Sequence, residues 1–267
     1  MDYSNINFKK KFGQNFLKDV NLLKAIVSDA DITEEDVVVE IGPGAGALTE
    51  HLVEKAKKVY AFEIDKELKS ELDSKFSDKT NIEIIYEDFL NISEGFLLNK
   101  VGENFKVVAN LPYYITSPIL TKLFSLTNRP KTIVVMVQKE VGERITATKD
   151  KGDYGYFSAY ISLNANAKIT RQVNRKMFTP VPNVDSCVVR LDTKEKSYNN
   201  EFVDFLKHAF QMKRKTLKNN IEKGYQISKQ EVDNVLKQLH FDVSVRADNL
   251  SLEELYLIFG TLFNKKV

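Results

Sequence analysis

A doubly wound α/β sheet followed by a small all-helical domain is the fold class that this sequence predicts, and three observations lead to it. Short strand-like runs alternate with helix-like segments over the first two-thirds of the chain. A glycine-rich turn joins the first of the central strands to the helix after it. From Glu201 onward the patterns are helical only. Alternation of this kind implies parallel strands covered by helices on both faces.

The elements follow in order. "DVVVEI" (36–41), "KVYAFEI" (58–64), "IEIIYE" (82–87), "KVVANL" (106–111) and "TIVVMVQ" (132–138) are short, β-branched or aromatic, and nearly continuously apolar, as central parallel strands are. Between them, "AGALTEHLVEKA" and "ITSPILTKLFSL" place apolar residues at helical spacing. Thr116-Ser117-Pro118 reads as the cap and first turn of the latter. "FTPVPNVDS" then leads into a further strand, "CVVRLD", and "KEKSYNN" (194–200) reads as a polar linker. Four helical patterns complete the chain: "EFVDFLKHAFQM", "RKTLKNNIEK", "SKQEVDNVLKQL" and "SLEELYLIFGTLF". The expected domains are therefore 1–195 and 196–267.

Composition narrows the function classes. At 267 residues, with 43% hydrophobic and 28% charged residues, the chain can bury a sizeable core. No apolar run approaches the roughly 18 residues of a membrane span. The start "MDYSNINFKKKFGQNF" lacks a signal-peptide core, so a cytoplasmic protein is expected. One cysteine, Cys187, and three scattered histidines offer neither a disulfide framework nor metal-ligand spacing. The net charge of +2 hides an uneven distribution. Residues 63–103 hold eleven acids against five bases, whereas "KKK" (9–11), "RQVNRK" (171–176) and "MKRKTLK" (212–218) are basic. Such clusters are often just solvated faces; three of them with aromatics nearby also suit a nucleic-acid surface.

In "VVVEIGPGAGALTEHLV", Gly42, Gly44 and Gly46 permit positive φ and a close ligand approach at the start of a helix. Gly42, Gly44 and Ala47 also satisfy a relaxed dinucleotide fingerprint, which keeps a nicotinamide-dependent dehydrogenase open as a rival. Glu63 ends the next strand, where an acid takes a ribose hydroxyl pair in such folds, and Asp88 follows the third. Glu40, Glu63, Asp65 and Asp88 crowd one edge with negative charge. That suits a cationic cofactor such as S-adenosylmethionine better than a pyrophosphate, and "ExGxGxG" (40–46) is also a common opening of methyltransferases.

"NLPY" (110–113) closes the fourth strand at the same edge. The lone pair of an exocyclic amine on a nucleobase is delocalised into the ring. The Asn110 side-chain oxygen and the Leu111 carbonyl could accept its two N–H groups and turn the lone pair toward a methyl donor. Pro112 fixes its own φ and offers no competing N–H, and Tyr113 supplies a ring for a planar base. A plain strand-end turn would leave the same four residues.

"FGQNFL", "EIGPGAGALT", "NLPY" and "FTPVPNVDSCVVRL" together resemble the KsgA/Erm family of ribosomal RNA adenine N6,N6-dimethyltransferases, from about Lys10 to Leu262. Within it, "GPGAGALT" and "NLPY" resemble the bacterial small-subunit enzymes of the KsgA (RsmA) type more than the Erm proteins. The resemblance implies a Rossmann-like methyltransferase sheet with a helical RNA-recognition domain. It implies transfer of methyl groups from S-adenosylmethionine, without a metal, to N6 of two adjacent adenosines near the 3′ end of 16S rRNA. The substrate would be an assembling 30S particle and the enzyme a monomer. It further implies that Asn15, Leu17, Gly42, Glu63, Asp88 and Asn110 contact the cofactor, and that Tyr113 and Phe178 stack on opposite faces of the target adenine. Lys213, Arg214, Lys215 and Lys218 would face rRNA, and Arg246 opens a C-terminal signature, "RADNLS". A non-catalytic ribosome-assembly factor is the second rival class.

Overall fold

The computed structural model describes residues 16–17, 19–112, 115–149, 153–195 and 198–264. They fall into two compact units, one drawn from 1–142 and 168–193 and the other from 143–167 and 194–267. The chain therefore crosses between units three times, and the last crossing falls beside the polar stretch at 194–200.

The first unit is built on a seven-stranded sheet of β2 (Val37–Ile41), β3 (Lys58–Phe62), β4 (Ile82–Ile85), β5 (Phe105–Asn110), β6 (Thr132–Gln138), all but the first three residues of β7 (Ala165–Val173), and β9 (Ser186–Thr193). Their order across the sheet is β4-β3-β2-β5-β6-β9-β7. β4, β3, β2, β5 and β6 run parallel. β9 pairs antiparallel with β6, from Thr132↔Asp192 to Gln138↔Ser186, so the sheet is mixed. Val38, Val59, Val107 and Val134 are wholly buried, which is why the parallel strands read as unbroken apolar runs. β7 carries no such signal. It lies at the sheet's edge, and "ANAKITRQV" mixes exposed, half-buried and buried positions.

The helices of this unit are α1 (Val20–Asp29), α2 (Ala47–Val53), α3 (Lys69–Lys75), α4 (Glu94–Val101), α5 (Thr116–Ser125) and the start of α6 (Lys139–Ile145). The cap of α5 is Ile115, so Thr116-Ser117-Pro118 lies wholly inside its first turn. Two short strands, β1 (Phe16–Leu17) and β8 (Phe178–Thr179), pair antiparallel with Leu17 opposite Phe178. Cys187 is fully buried on β9, and its sulfur fills the space where any side chain at Gly142 would sit.

An ionic cluster gathers around the end of α1. Asp29 accepts from Arg171 Nε at 2.8 Å, Arg171 Nη2 at 2.7 Å and the Thr170 hydroxyl at 2.7 Å. Arg190 of β9 donates to the Asp29 carbonyl at 2.7 Å, and Lys106 of β5 to the Asp31 carbonyl at 2.6 Å. Strands remote in sequence are thereby tied to a single helix end. Arg171, read above as part of a basic cluster, has its charge answered within the fold.

The second unit is helical: α7 (Tyr156–Asn164), α8 (Asn200–Ala209), α9 (Leu217–Tyr225), α10 (Lys229–Gln238) and α11 (Leu252–Leu262). Helices this short are marginal alone and depend on packing. Phe202, Phe205 and Phe259 supply it, with ring centroids 5.4 to 6.1 Å apart. Tyr198 joins them 5.4 Å from Phe202, so the stretch 194–200 contributes a half-buried ring packed against this core. Reciprocal capping boxes, Ser228 with Glu231 and Ser251 with Glu254, start α10 and α11.

Replacing Asp29 by Ala should lower stability by about 1–2 kcal/mol, because it leaves both guanidinium donors of half-buried Arg171 without their acceptor. Lys149→Ala, which removes a solvent-exposed pair with Glu254, should cost under about 1 kcal/mol. Urea unfolding midpoints of the two variants give the comparison, and equal shifts would contradict it.

Candidate functional site

The parallel register sets the site. Ile41 is level with Phe62, and Phe62 with Ile85, while Glu40 is level with Val108 of β5. One step further, the ladder continues: the Gly42 N–H donates to the Phe62 carbonyl at 2.9 Å, Glu63 to Ile85 at 3.0 Å and Leu111 to Met136 at 3.1 Å. Gly42, Glu63 and Asn110 are thus brought to one level along the carboxyl edge of the sheet, where ligands of open α/β folds bind.

Gly42, Gly44 and Gly46 all have positive φ, at 72°, 57° and 74°. At Gly46, the left-handed cap of α2, a Cβ would also lie 2.7 Å from the Phe76 ring. The Gly44 N–H donates to Glu63 Oε2 at 3.0 Å, and Glu63 Oε1 accepts from the Asp65 N–H at 2.8 Å. A loop built for pyrophosphate presents its N–H groups to the anion. Here a carboxylate already engages one of them, which disfavours the dinucleotide reading. Lys75 of α3 donates to the Ala45 carbonyl at 2.8 Å and pairs with Glu50 at 3.0 Å, holding the loop from its other side.

The edge is acidic and dry. Glu63 is 4% exposed. Burial raises its pKa and the Asp65 charge adds to that, against the N–H groups of Asp65 and Gly44. Glu40 is 1% exposed. Burial pushes its carboxyl up to about 8, with the Glu63 charge adding and Lys75 opposing. The Thr49 hydroxyl tempers the shift without reaching hydrogen-bond geometry, and among the described residues Glu40 Oε2 and Thr49 Oγ1 have no hydrogen-bond partner. Buried carboxylates facing one another favour a cationic ligand. Among the described residues no three side chains form a metal-ligating group, and no helix is long and apolar enough to cross a membrane.

Asp88 lies half-buried at the head of a short 3-10 turn, accepting from the Leu90 N–H at 2.9 Å. Asn110 is the last residue of β5 and half-buried. Beyond it the Pro112 carbonyl accepts from the Ile115 N–H at 3.2 Å, fixing the turn into α5. Leu17 and Phe178 are both buried, Phe178 at 2% exposure, within the apolar cluster of the first unit. Asn15 and Tyr113 lie outside the described residues, as does "KKK" at 9–11. Ile64 escaped the sequence reading. It is apolar, 44% exposed and directly after Glu63, a surface on which a flat base could lie. An apolar residue following a strand-end acid was the signal available.

In the second unit, Lys213, Arg214 and Lys215 are exposed between α8 and α9. Lys218 differs: it is half-buried and bonded to both oxygens of Asp233, at 3.0 and 3.2 Å. Asn220, buried beneath this connection, accepts from the Met212 N–H and donates back to its carbonyl. Arg246 is paired with Asp248.

Residues 5–263 match the family model described as ribosomal RNA adenine dimethylase. Ribosomal RNA small subunit methyltransferase A of Clostridium acetobutylicum is 39% identical over 97% of this chain and 93% of its own length. The Bacillus cereus protein of the same description is 40% identical over 98% and 92%. Among solved structures, a dimethyladenosine transferase from Plasmodium falciparum superposes with a TM-score of 0.80 at 29% identity, covering 93% of this chain and 98% of the other. The 23S rRNA methyltransferase ErmE superposes with a TM-score of 0.72 at 25% identity, covering 93% and 100%.

The buried carboxyl of Glu40 makes a signed prediction. The folded state keeps a proton that the unfolded chain releases near the ordinary value of 4.5, so this group's stabilising contribution is present below that pH. It is lost as pH rises toward about 8. Glu40→Gln should therefore gain stability over the parent protein between pH 5 and 8.5, by on the order of a few kcal/mol. Urea midpoints at both pH values test this; parallel trends for the two proteins would refute the assignment.

Proposed function

The chain belongs to the ribosomal RNA adenine dimethylase family, and we propose that it uses S-adenosylmethionine to dimethylate N6 of two adjacent adenosines near the 3′ end of small-subunit rRNA, within an assembling particle in the cytoplasm. It is a Rossmann-like methyltransferase acting on adenine in ribosomal RNA. The small-subunit target is supported by relatives at 39–40% identity that carry that description, against 25% for the enzyme named for 23S rRNA. The observation that carries the chemistry is Asn110 standing at the strand-end level of Gly42 and Glu63.

When bound, the cofactor supplies an electrophilic methyl group on a sulfonium. Glu63 would hold its ribose hydroxyls, Ile64 would lie against its base and Asp88 would accept from the base's amine. Asp65 adds negative potential that favours the cation, while Glu40 keeps its proton at neutral pH. The site's dryness strengthens each of these interactions.

The target adenine leaves its stack to enter the site. The Asn110 side-chain oxygen and the Leu111 carbonyl would accept from its N6 amine and aim the nitrogen lone pair at the methyl group. Pro112 cannot donate into that space. Tyr113 would stack on one face of the base. Phe178 would take the other face, which requires the side chains covering it to part. After transfer the nitrogen holds a surplus proton and releases it readily, so no strong base is needed. Positioning and fixed dipoles supply most of the rate. A single enzyme molecule suffices for these roles, and the exposed Lys213, Arg214 and Lys215 would attract the rRNA backbone, with Lys218 a weaker candidate because Asp233 already answers its charge.

Labelled methyl transfer to unmethylated small and large subunits, with nucleoside analysis, should yield N6,N6-dimethyladenosine from the small subunit; label confined to the large subunit would overturn the target assignment. Asn110→Ala should cut transfer by about 100-fold or more while particle binding persists. Lys213→Glu with Arg214→Glu should weaken particle binding about tenfold at moderate salt and flatten its salt dependence. Calorimetric affinity for S-adenosylhomocysteine should stay at the parent value, and unchanged particle binding would misplace the basic face.

A further inference from the structure

Lys122 has no place in the chemistry above, yet it sits where two parts of the site meet. It lies on α5, the helix that follows the Asn110–Tyr113 stretch. Its ammonium donates to the Leu90 carbonyl at 2.8 Å and to the Ile92 carbonyl at 2.5 Å. Leu90 lies in the 3-10 turn at whose head Asp88 stands, and Ile92 caps the end of that turn. Leu90 is the relay: its carbonyl is gripped by Lys122, and its N–H donates to Asp88 Oδ1 at 2.9 Å. The orientation of the Asp88 carboxylate is therefore one residue removed from the lysine.

Neighbouring contacts make this grip specific. The Lys122 ammonium lies 5.4 Å from the Phe89 ring centroid. That ring meets Phe62 edge-on at 5.3 Å, and Phe62 directly precedes Glu63. Burial lowers the lysine's pKa and the Asp88 charge opposes that shift, so the cation and the acid lie within each other's field. A compact ammonium with three donors can bond two carbonyls of one turn at once. Without it the turn keeps its Asp88–Leu90 bond but loses the anchor that sets where the bonded pair points.

We propose that Lys122 is the positioning residue that aims Asp88, and that through it the enzyme selects a 6-amino purine in its cofactor. This rests on the reading of Asp88 as the acceptor for the cofactor's adenine amine. Lys122 thereby links cofactor recognition to the helix launched from the target-base turn. It is a specificity determinant that touches neither ligand.

The test compares calorimetric Kd values for S-adenosylhomocysteine and its 6-deamino analogue, in which hydrogen replaces the adenine amine. A lost hydrogen bond to a carboxylate should make the parent enzyme prefer the amine by about tenfold or more. Asp88→Ala should abolish that preference. Lys122→Met, which keeps the aliphatic stem, should reduce it to about threefold or less. A general loss of stability would weaken both ligands alike and leave the ratio intact. Should Lys122→Met fail to fold, Lys122→Leu, which also lacks a donor, carries the same comparison. A parent-like ratio in the Lys122 variants, with the ratio lost in Asp88→Ala, overturns the inference alone. A parent-like ratio in Asp88→Ala overturns the reading of Asp88 and the inference with it.

Discussion

The carboxylate of Glu63 is the constraint on which the candidate site depends. One oxygen accepts from Gly44 in the turn after β2, the other from Asp65 in the turn after β3. A single buried group thus fixes two loops of adjacent strands. In doing so it occupies an N–H that an anion would otherwise need. Loop geometry and ligand preference follow from one interaction: a glycine turn shaped for close approach, at an edge whose charge favours cations.

That edge is costly to build. Glu40, Glu63 and Asp65 are all buried, and concentrating acids raises the energy of each ionised form. The fold answers from the periphery. Lys75 braces the glycine turn through the Ala45 carbonyl, and Lys122 braces the Asp88 turn through those of Leu90 and Ile92. Both lysines direct their donors at backbone carbonyls of the loops beside the acids. The negative potential of the edge is kept for a ligand while the loops that create it are held still.

The basic residues divide in the opposite sense. Arg171 and Lys218 look like members of cationic clusters in the sequence, but Asp29 and Asp233 answer their charge. Lys213, Arg214 and Lys215 stay exposed at a connection whose backbone Asn220 clamps from beneath. A charge count therefore overstates the surface open to a polyanion, and the fold decides which cations face outward.

Features that depend on near neighbours were legible in the sequence. The five parallel strands appear within two residues of their expected bounds at each end, because residues buried on both faces must be apolar throughout. The glycine turn, the acids at 63 and 88 and the amide at 110 were legible because strand ends place side chains at one known edge. β7 was not, since an edge strand needs no continuous apolar face. Nor was the helical unit's claim on 143–167, which rests on packing with residues distant in the chain. What only the tertiary structure decided is what stands opposite each polar group: Asp29 beside Arg171, Glu63 beneath Gly44, Lys122 against Leu90, and nothing within hydrogen-bond reach of Glu40 Oε2 among the described residues. The reason is physical. Local sequence sets backbone conformation and which faces are apolar, whereas a proton's affinity and a charge's availability depend on solvent exclusion and on partners that only folding brings together.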